Sequence, residues 1–245
     1  MNYLKSSLVA LQFLTQIPVH FKKYPESKTA AGSLIFYPLI GGLIGLALVA
    51  IGFFLADLPE LFSAAILLVF WVAITGALHI DGLADSCDAW IGGQGSAART
   101  LEIMKDPCSG PIAVVTVLCT LLLKFSAMVA VLEVQAYWML MLAPLVARSM
   151  LPILLLLTPY VRAGGIGAVL VSHAPRTQVY CGCGLALIFA YLLGNGSIII
   201  MAAVSLYCLR MMMIKRINGI TGDTAGASIE IVEAVVLVAI VINLY

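Results

Sequence analysis

Three aspartates, Asp81, Asp85 and Asp88, break an otherwise apolar region within His79-Ile-Asp-Gly-Leu-Ala-Asp-Ser-Cys-Asp-Ala-Trp90. Spacings of i, i+4 and i+7 stack the three carboxylates on one face of a helix. Like charges that close repel, so the row requires either full hydration or a cation among its oxygens. An acidic, solvated helix end would satisfy the first condition. Gly82, which allows a ligand or a second backbone to approach, and the position of the row where apolar sequence gives way to polar, favour the second. Asp81, Asp85 and Asp88 are therefore read as Mg²⁺ ligands, with His79 adjacent and held in reserve.

Two other stretches can take part. Arg99-Thr-Leu-Glu-Ile-Met-Lys-Asp106 reads as a short amphipathic helix halted before Pro107. Glu102 and Asp106, one turn apart, can complete a metal shell or hold Lys105 and Arg99 toward a phosphate; a solvated helix with local ion pairs fits the same spacing. Thr221-Gly222-Asp223 offers a carboxylate in a glycine-rich loop whose backbone N–H groups can cradle phosphate oxygens. Lys124 and Arg148 lie inside apolar runs, where an ionisable residue is costly and marks a site by default. Arg148 is close enough to one end of its run to reach an inward-opening cavity, whereas Lys124 can equally snorkel outward.

Composition states what must position these groups. The chain has 245 residues, 62% of them hydrophobic and only 10% charged, with a mean hydropathy of +1.10. A soluble domain carries about a quarter charged residues, so this is a polytopic membrane protein. The expected fold is all-α: a helical bundle of about seven spans, over 33–56, 60–80, 109–132, 136–157, 178–194, 197–214 and 229–244, with the last three short for a crossing. A moderately apolar helix over 3–17, ended by Pro18, is expected to lie at the interface. The whole of 1–245 reads as one membrane domain without a removable leader. Six cysteines fall mostly inside apolar runs and form no disulfide or zinc pattern. No basic run suggests nucleic acid, and an oligomer is open.

Connections at 57–59, 133–135 and 194–197 hold no Lys or Arg, whereas the segments 1–32, 81–108, 158–177 and 210–218 hold eleven of the thirteen. The positive-inside rule puts the latter in the cytoplasm. The loops 81–108, 158–177 (with its glycine-rich stretch 162–167) and 215–228 then share one face, where a site can be assembled from all three.

His79-Ile-Asp-Gly-Leu-Ala-Asp85, Leu101-Glu-Ile-Met-Lys-Asp106 and Thr221-Gly-Asp-Thr-Ala-Gly-Ala227, in this order, resemble the cobalamin synthase family, the adenosylcobinamide-GDP ribazoletransferases. The likeness extends to Ile17-Pro18, Tyr37-Pro-Leu-Ile-Gly41, Lys124 and Arg148. It implies a bacterial inner-membrane enzyme, facing the cytoplasm, that joins α-ribazole or its 5′-phosphate to adenosylcobinamide-GDP with release of GMP, using Mg²⁺. Gln16 departs from the Arg usual in the family, Cys108-Ser109 replace a basic position, and Ala225 replaces a larger apolar residue. The acidic set is intact.

Attack of a hydroxyl on a phosphoanhydride spreads negative charge over phosphate oxygens, so positioning and charge neutralisation carry such a reaction. Under this reading Asp81, Asp85 and Asp88 hold the metal with Glu102, Asp106 and Asp223 in support. Lys124, Arg148, Arg162, Lys105, Thr221 and Gly222 contact substrate phosphates, and Asp88, at the end of the row, serves as general base. Two readings compete. A CDP-alcohol phosphotransferase-like enzyme shares the logic but opens on Asp-Gly-x-x-Ala-Arg, and no Arg follows Ala84 here. An ion-coupled transporter would use Lys124 and Arg148 along a pathway.

Overall fold

The computed structural model describes residues 2–162 and 164–245, so that Met1 and Ala163, the latter inside the stretch 162–167 noted above, lie outside the described residues. Everything regular among the described residues is helical, apart from one isolated bridge between Tyr160 and Ile220.

The first helix, α1 (Tyr3–Leu14), starts where the Asn2 side chain accepts the Lys5 N–H at 3.1 Å. It stops short of the expected residue 17. A short α2 (Ser27–Ala31) runs through a 3₁₀ turn into α3 (Tyr37–Phe54), giving a 28-residue apolar segment. Five more helices are long and apolar enough to cross a membrane: α7 (Pro111–Glu133), α8 (Leu142–Leu157) with the 3₁₀ turn before it, α10 (Arg176–Leu193), α11 (Gly196–Ile217) and α12 (Gly222–Leu244). With 18, 22 and 23 residues, the last three are longer than the sequence suggested.

The second crossing departs from expectation. The apolar run from residue 60 breaks after α4 (Glu60–Thr75), because Gly76 and Ala77 both take left-handed conformations, at φ +62° and +55°. Gly76 suits this as a helix C-cap. The chain turns by 86° into α5 (Leu78–Gly92), which carries the aspartate row on a helix, as its spacing indicates, within the segment 81–108 expected to be a loop. Gln16 fixes this corner: its side chain packs against Gly76, and its N–H donates to the Ile74 carbonyl at 2.7 Å. At 1.5 Å per residue α4 spans about 24 Å, enough for a thin crossing. The break leaves α5 lying across the N-terminal ends of α7 and α12.

At the centre, α8 is buried along almost its whole length, with α3 and α12 on either side. The α3–α8 approach depends on small residues: a Cβ at Gly45 would meet the Met141 backbone at 2.7 Å. Two short helices, α6 (Ala97–Ile103) and α9 (Ile166–Ser172), cover the end of the bundle where α5 lies. Arg216 at the end of α11 donates to the Trp90 carbonyl at 2.5 Å and to Thr100 Oγ1 at 3.0 Å, joining α11 to α5 and α6. The three motif stretches thus meet at one end of the bundle.

Candidate active site

The site forms where α5 crosses the first turn of α12. Gly82 makes the crossing possible, since a Cβ there would lie 2.7 Å from the Asp223 carbonyl oxygen. Close approach brings the face carrying Asp81 and Asp85 alongside Asp223. The final helix begins at Gly222, seven residues before the expected 229, so Thr221-Gly222-Asp223 is a helix start and not a loop. Thr221 is its N-cap: its hydroxyl accepts the Thr224 N–H at 3.2 Å, while Thr224 Oγ1 accepts the Thr221 N–H at 2.9 Å. Fully buried and occupied in this box, Thr221 acts on the helix, with Asp223 the residue that its cap presents.

Arg162 Nη2 lies 2.7 Å from Asp223 Oδ2, yet that oxygen is buried and has no aligned hydrogen bond. Asp85, half-buried on α5, has its carboxyl pushed up to about 6 by burial and then by the negative charges of Asp81 and Asp223, with Arg162 opposing. A cation here would relieve the repulsion among these carboxylates. Mg²⁺ binds through one or two carboxylates, substrate phosphates and retained waters. Asp81 and Asp85, supported by Asp223, fit that pattern, although among the described residues no three His, Cys, Asp or Glu side chains converge on one metal position.

The remaining expected ligands are elsewhere. Asp88 turns toward α7, accepting the N–H groups of Gly110 and, at 2.9 Å, of Ala113. It therefore caps that helix, each of its oxygens accepting one backbone N–H, where a metal contact and a base were expected of it. Glu102 pairs with Arg99 at 2.9 Å in the open, and Asp106 accepts the Cys108 N–H at 3.0 Å. Lys105 is exposed on the same segment.

Lys124 and Arg148 form a separate centre inside the bundle. Lys124 Nζ lies 2.5 Å from Glu230 and also contacts Glu233, whose other oxygen contacts Arg148 Nη1. All four side chains are at most 4% exposed. Two cations and two carboxylates balance, so this quartet ties α7 and α8 to α12. Lys124 and Arg148, expected on the substrate diphosphate, are paired in this structure with the acids that α12 brings to their level, while Nε and Nη2 of Arg148 are buried without a partner.

A cleft of about 310 Å³ runs inward from Asp81, Asp223 and Arg162, between α5, α8 and α12, past Gly222 and Tyr160 to His79 and Tyr37. Burial pushes the His79 imidazolium down to about 3, so its ring is neutral. Tyr37 was noted in the sequence only as part of a resemblance, and Phe13 and Tyr160 were missed. An aromatic residue in an apolar run has no pattern that distinguishes a cleft wall from a packed core.

Fold and site together define a polytopic helical membrane protein with an acid-lined cleft across its helix ends. The cobalamin-5-phosphate synthase family model matches residues 6–241, and the chain belongs to that family. It is similar to the adenosylcobinamide-GDP ribazoletransferase of Pseudomonas fluorescens strain Pf-5, 48% identical over 235 residues that cover 95% of this chain and 97% of the relative. The enzymes of that name from Ectopseudomonas mendocina and Pseudomonas aeruginosa PAO1 are each 47% identical, over 96% and 97% of this chain and 98% of each relative. No solved structure matches the chain.

Proposed function

We propose that the chain is an adenosylcobinamide-GDP ribazoletransferase of the bacterial inner membrane, with its site open to the cytoplasm. It joins α-ribazole, or its 5′-phosphate, to adenosylcobinamide-GDP and releases GMP. The observation that supports this reading most is the convergence of Asp81, Asp223 and Arg162 on one cleft, with Asp85 close enough to feel all three charges, in a chain similar along its length to enzymes of that name.

In the reaction, the acceptor hydroxyl oxygen bonds to the phosphorus that carries the corrinoid arm, and the phosphoanhydride bond breaks, with its electron pair leaving on GMP. Mg²⁺, when bound, would draw charge from the diphosphate oxygens. Asp81 and Asp85 would hold it. Arg162, now on Asp223, is drawn to the incoming phosphate, and the N-terminal end of α12 adds backbone N–H groups and the positive end of its dipole. Release of Arg162 leaves the Asp223 carboxylate free to accept the hydroxyl proton. Asp223 thus takes the role that the sequence had suggested for Asp88.

The test is GMP release by purified protein in lipid nanodiscs, with adenosylcobinamide-GDP, α-ribazole and Mg²⁺ supplied or withheld in turn. Release that requires all three is expected. Turnover of CDP-alcohols in place of the corrinoid would select the alternative transferase, and no turnover of either would refute both.

A further inference from the structure

The cleft is lined by two buried polar groups without a well-aligned hydrogen bond. Tyr37 is wholly buried, its hydroxyl having only the buried Ser33 hydroxyl as a side-chain neighbour and no aligned bond to it, and His79 is 3% exposed with its Nδ1 unpartnered. Both line the cleft, whose lining near them is hydrocarbon from the buried Leu151, Leu155 and Ile229 and the partly exposed Phe13. Phe13 and Tyr37 stack with centroids 6.3 Å apart and planes at 19°, giving this end a flat aromatic wall. Buried hydroxyls and imidazoles are normally hydrogen-bonded, and an orphan costs stability. Two of them in one apolar recess are better explained by a ligand than by packing.

Resting on the transferase reading, we infer that this recess binds the heteroaromatic base of the acceptor riboside, with Tyr37 and His79 as its recognition residues. A benzimidazole joined to ribose through one ring nitrogen is planar and mostly hydrocarbon, with a single free nitrogen that accepts a hydrogen bond. The Tyr37 hydroxyl supplies that donor, leaving His79 Nδ1 for a ribose hydroxyl. Guanine, the other base in the reaction, carries a carbonyl, an amino group and several ring nitrogens; two polar groups in a hydrocarbon recess would leave most of these unpaired. With the base inside, the ribose points out toward Asp81, Asp223 and Arg162, where its hydroxyl meets the diphosphate.

Calorimetric titration of the full-length protein with a benzimidazole riboside, and separately with GMP, tests this without turnover. Wild type should bind the riboside. Tyr37→Phe, which keeps the ring, should weaken that binding about tenfold, as loss of one buried hydrogen bond does, and leave GMP affinity unchanged. In turnover the KM for the riboside should rise while the KM for adenosylcobinamide-GDP holds. His79→Gln is the second variant, with the same expectation. No riboside binding by wild type, unchanged riboside affinity in both variants, or a loss of GMP affinity instead would overturn the assignment. Riboside binding that depends on Tyr37 in a protein that releases no GMP would keep the recess and refute the transferase.

Discussion

Asp81 and Asp85 are one helical turn apart on a partly exposed face, and their chemistry follows from crowding. With Asp85 raised to about 6, a proton competes with any cation for its carboxylate below that pH, whereas above it the group is ionised and free to bind. The apparent Mg²⁺ affinity should therefore be flat from pH 7 to 8 and fall as pH drops through 6, approaching about tenfold per unit for a single competing proton. Mg²⁺ titrations of turnover from pH 5 to 8 measure this, and a flat profile would remove Asp85 from the metal. Asp81→Asn keeps the shape and loses the charge, so folded protein with at least about a hundredfold lower turnover is expected at ordinary Mg²⁺.

Asp88 belongs to the scale of the helix. It fastens the start of α7 to α5 through two backbone N–H groups, and an asparagine can still accept a hydrogen bond through its amide oxygen. Asp88→Asn should retain most of the turnover, whereas Asp88→Ala should lose about 1 kcal/mol of stability with the cap. Kinetics and thermal unfolding of the two variants separate a cap from a base: a base would be inactivated by both substitutions. Gly82 is a matter of spacing between helices. A side chain there would push α5 off the Asp223 backbone, so Gly82→Val should abolish turnover although no reacting group is changed.

Across the whole molecule, the Lys124, Arg148, Glu230 and Glu233 quartet sets how α7, α8 and α12 stand relative to one another. Glu233 touches both cations, so Glu233→Ala leaves buried positive charge uncompensated, at a cost of about 3–5 kcal/mol. Little protein should then accumulate in the membrane, as judged by immunoblot of the membrane fraction. Arg148→Lys keeps the charge that Glu233 needs, and should leave turnover mostly intact with a lower unfolding temperature. A stable Arg148→Lys protein with sharply reduced turnover would instead return Arg148 to the substrate. Orientation is tested separately: a single cysteine at Ser96→Cys, in a Cys-free background, should resist labelling from outside intact cells.

The sequence by itself determined the class of fold and the end of the bundle at which the motif stretches meet. Continuous apolar runs near twenty residues read as membrane helices, since a helix satisfies its whole backbone within the segment and barrel strands are shorter and alternate. The i, i+4 relation of Asp81 and Asp85 follows from helical geometry alone, as does the common end shared by the motif stretches from the alternation of their charges. Only the tertiary structure decided which charges work together. Asp88 has the spacing of a ligand, but the start of α7 takes both its oxygens. Lys124 and Arg148 look like phosphate contacts until α12 brings Glu230 and Glu233 to their depth. The break at Gly76-Ala77 was hidden because hydrophobicity records burial and not φ, and that break lays α5 across α12. Spacing along the chain fixes neighbours on one helix. Partners on different helices depend on crossing and depth, which no single segment encodes.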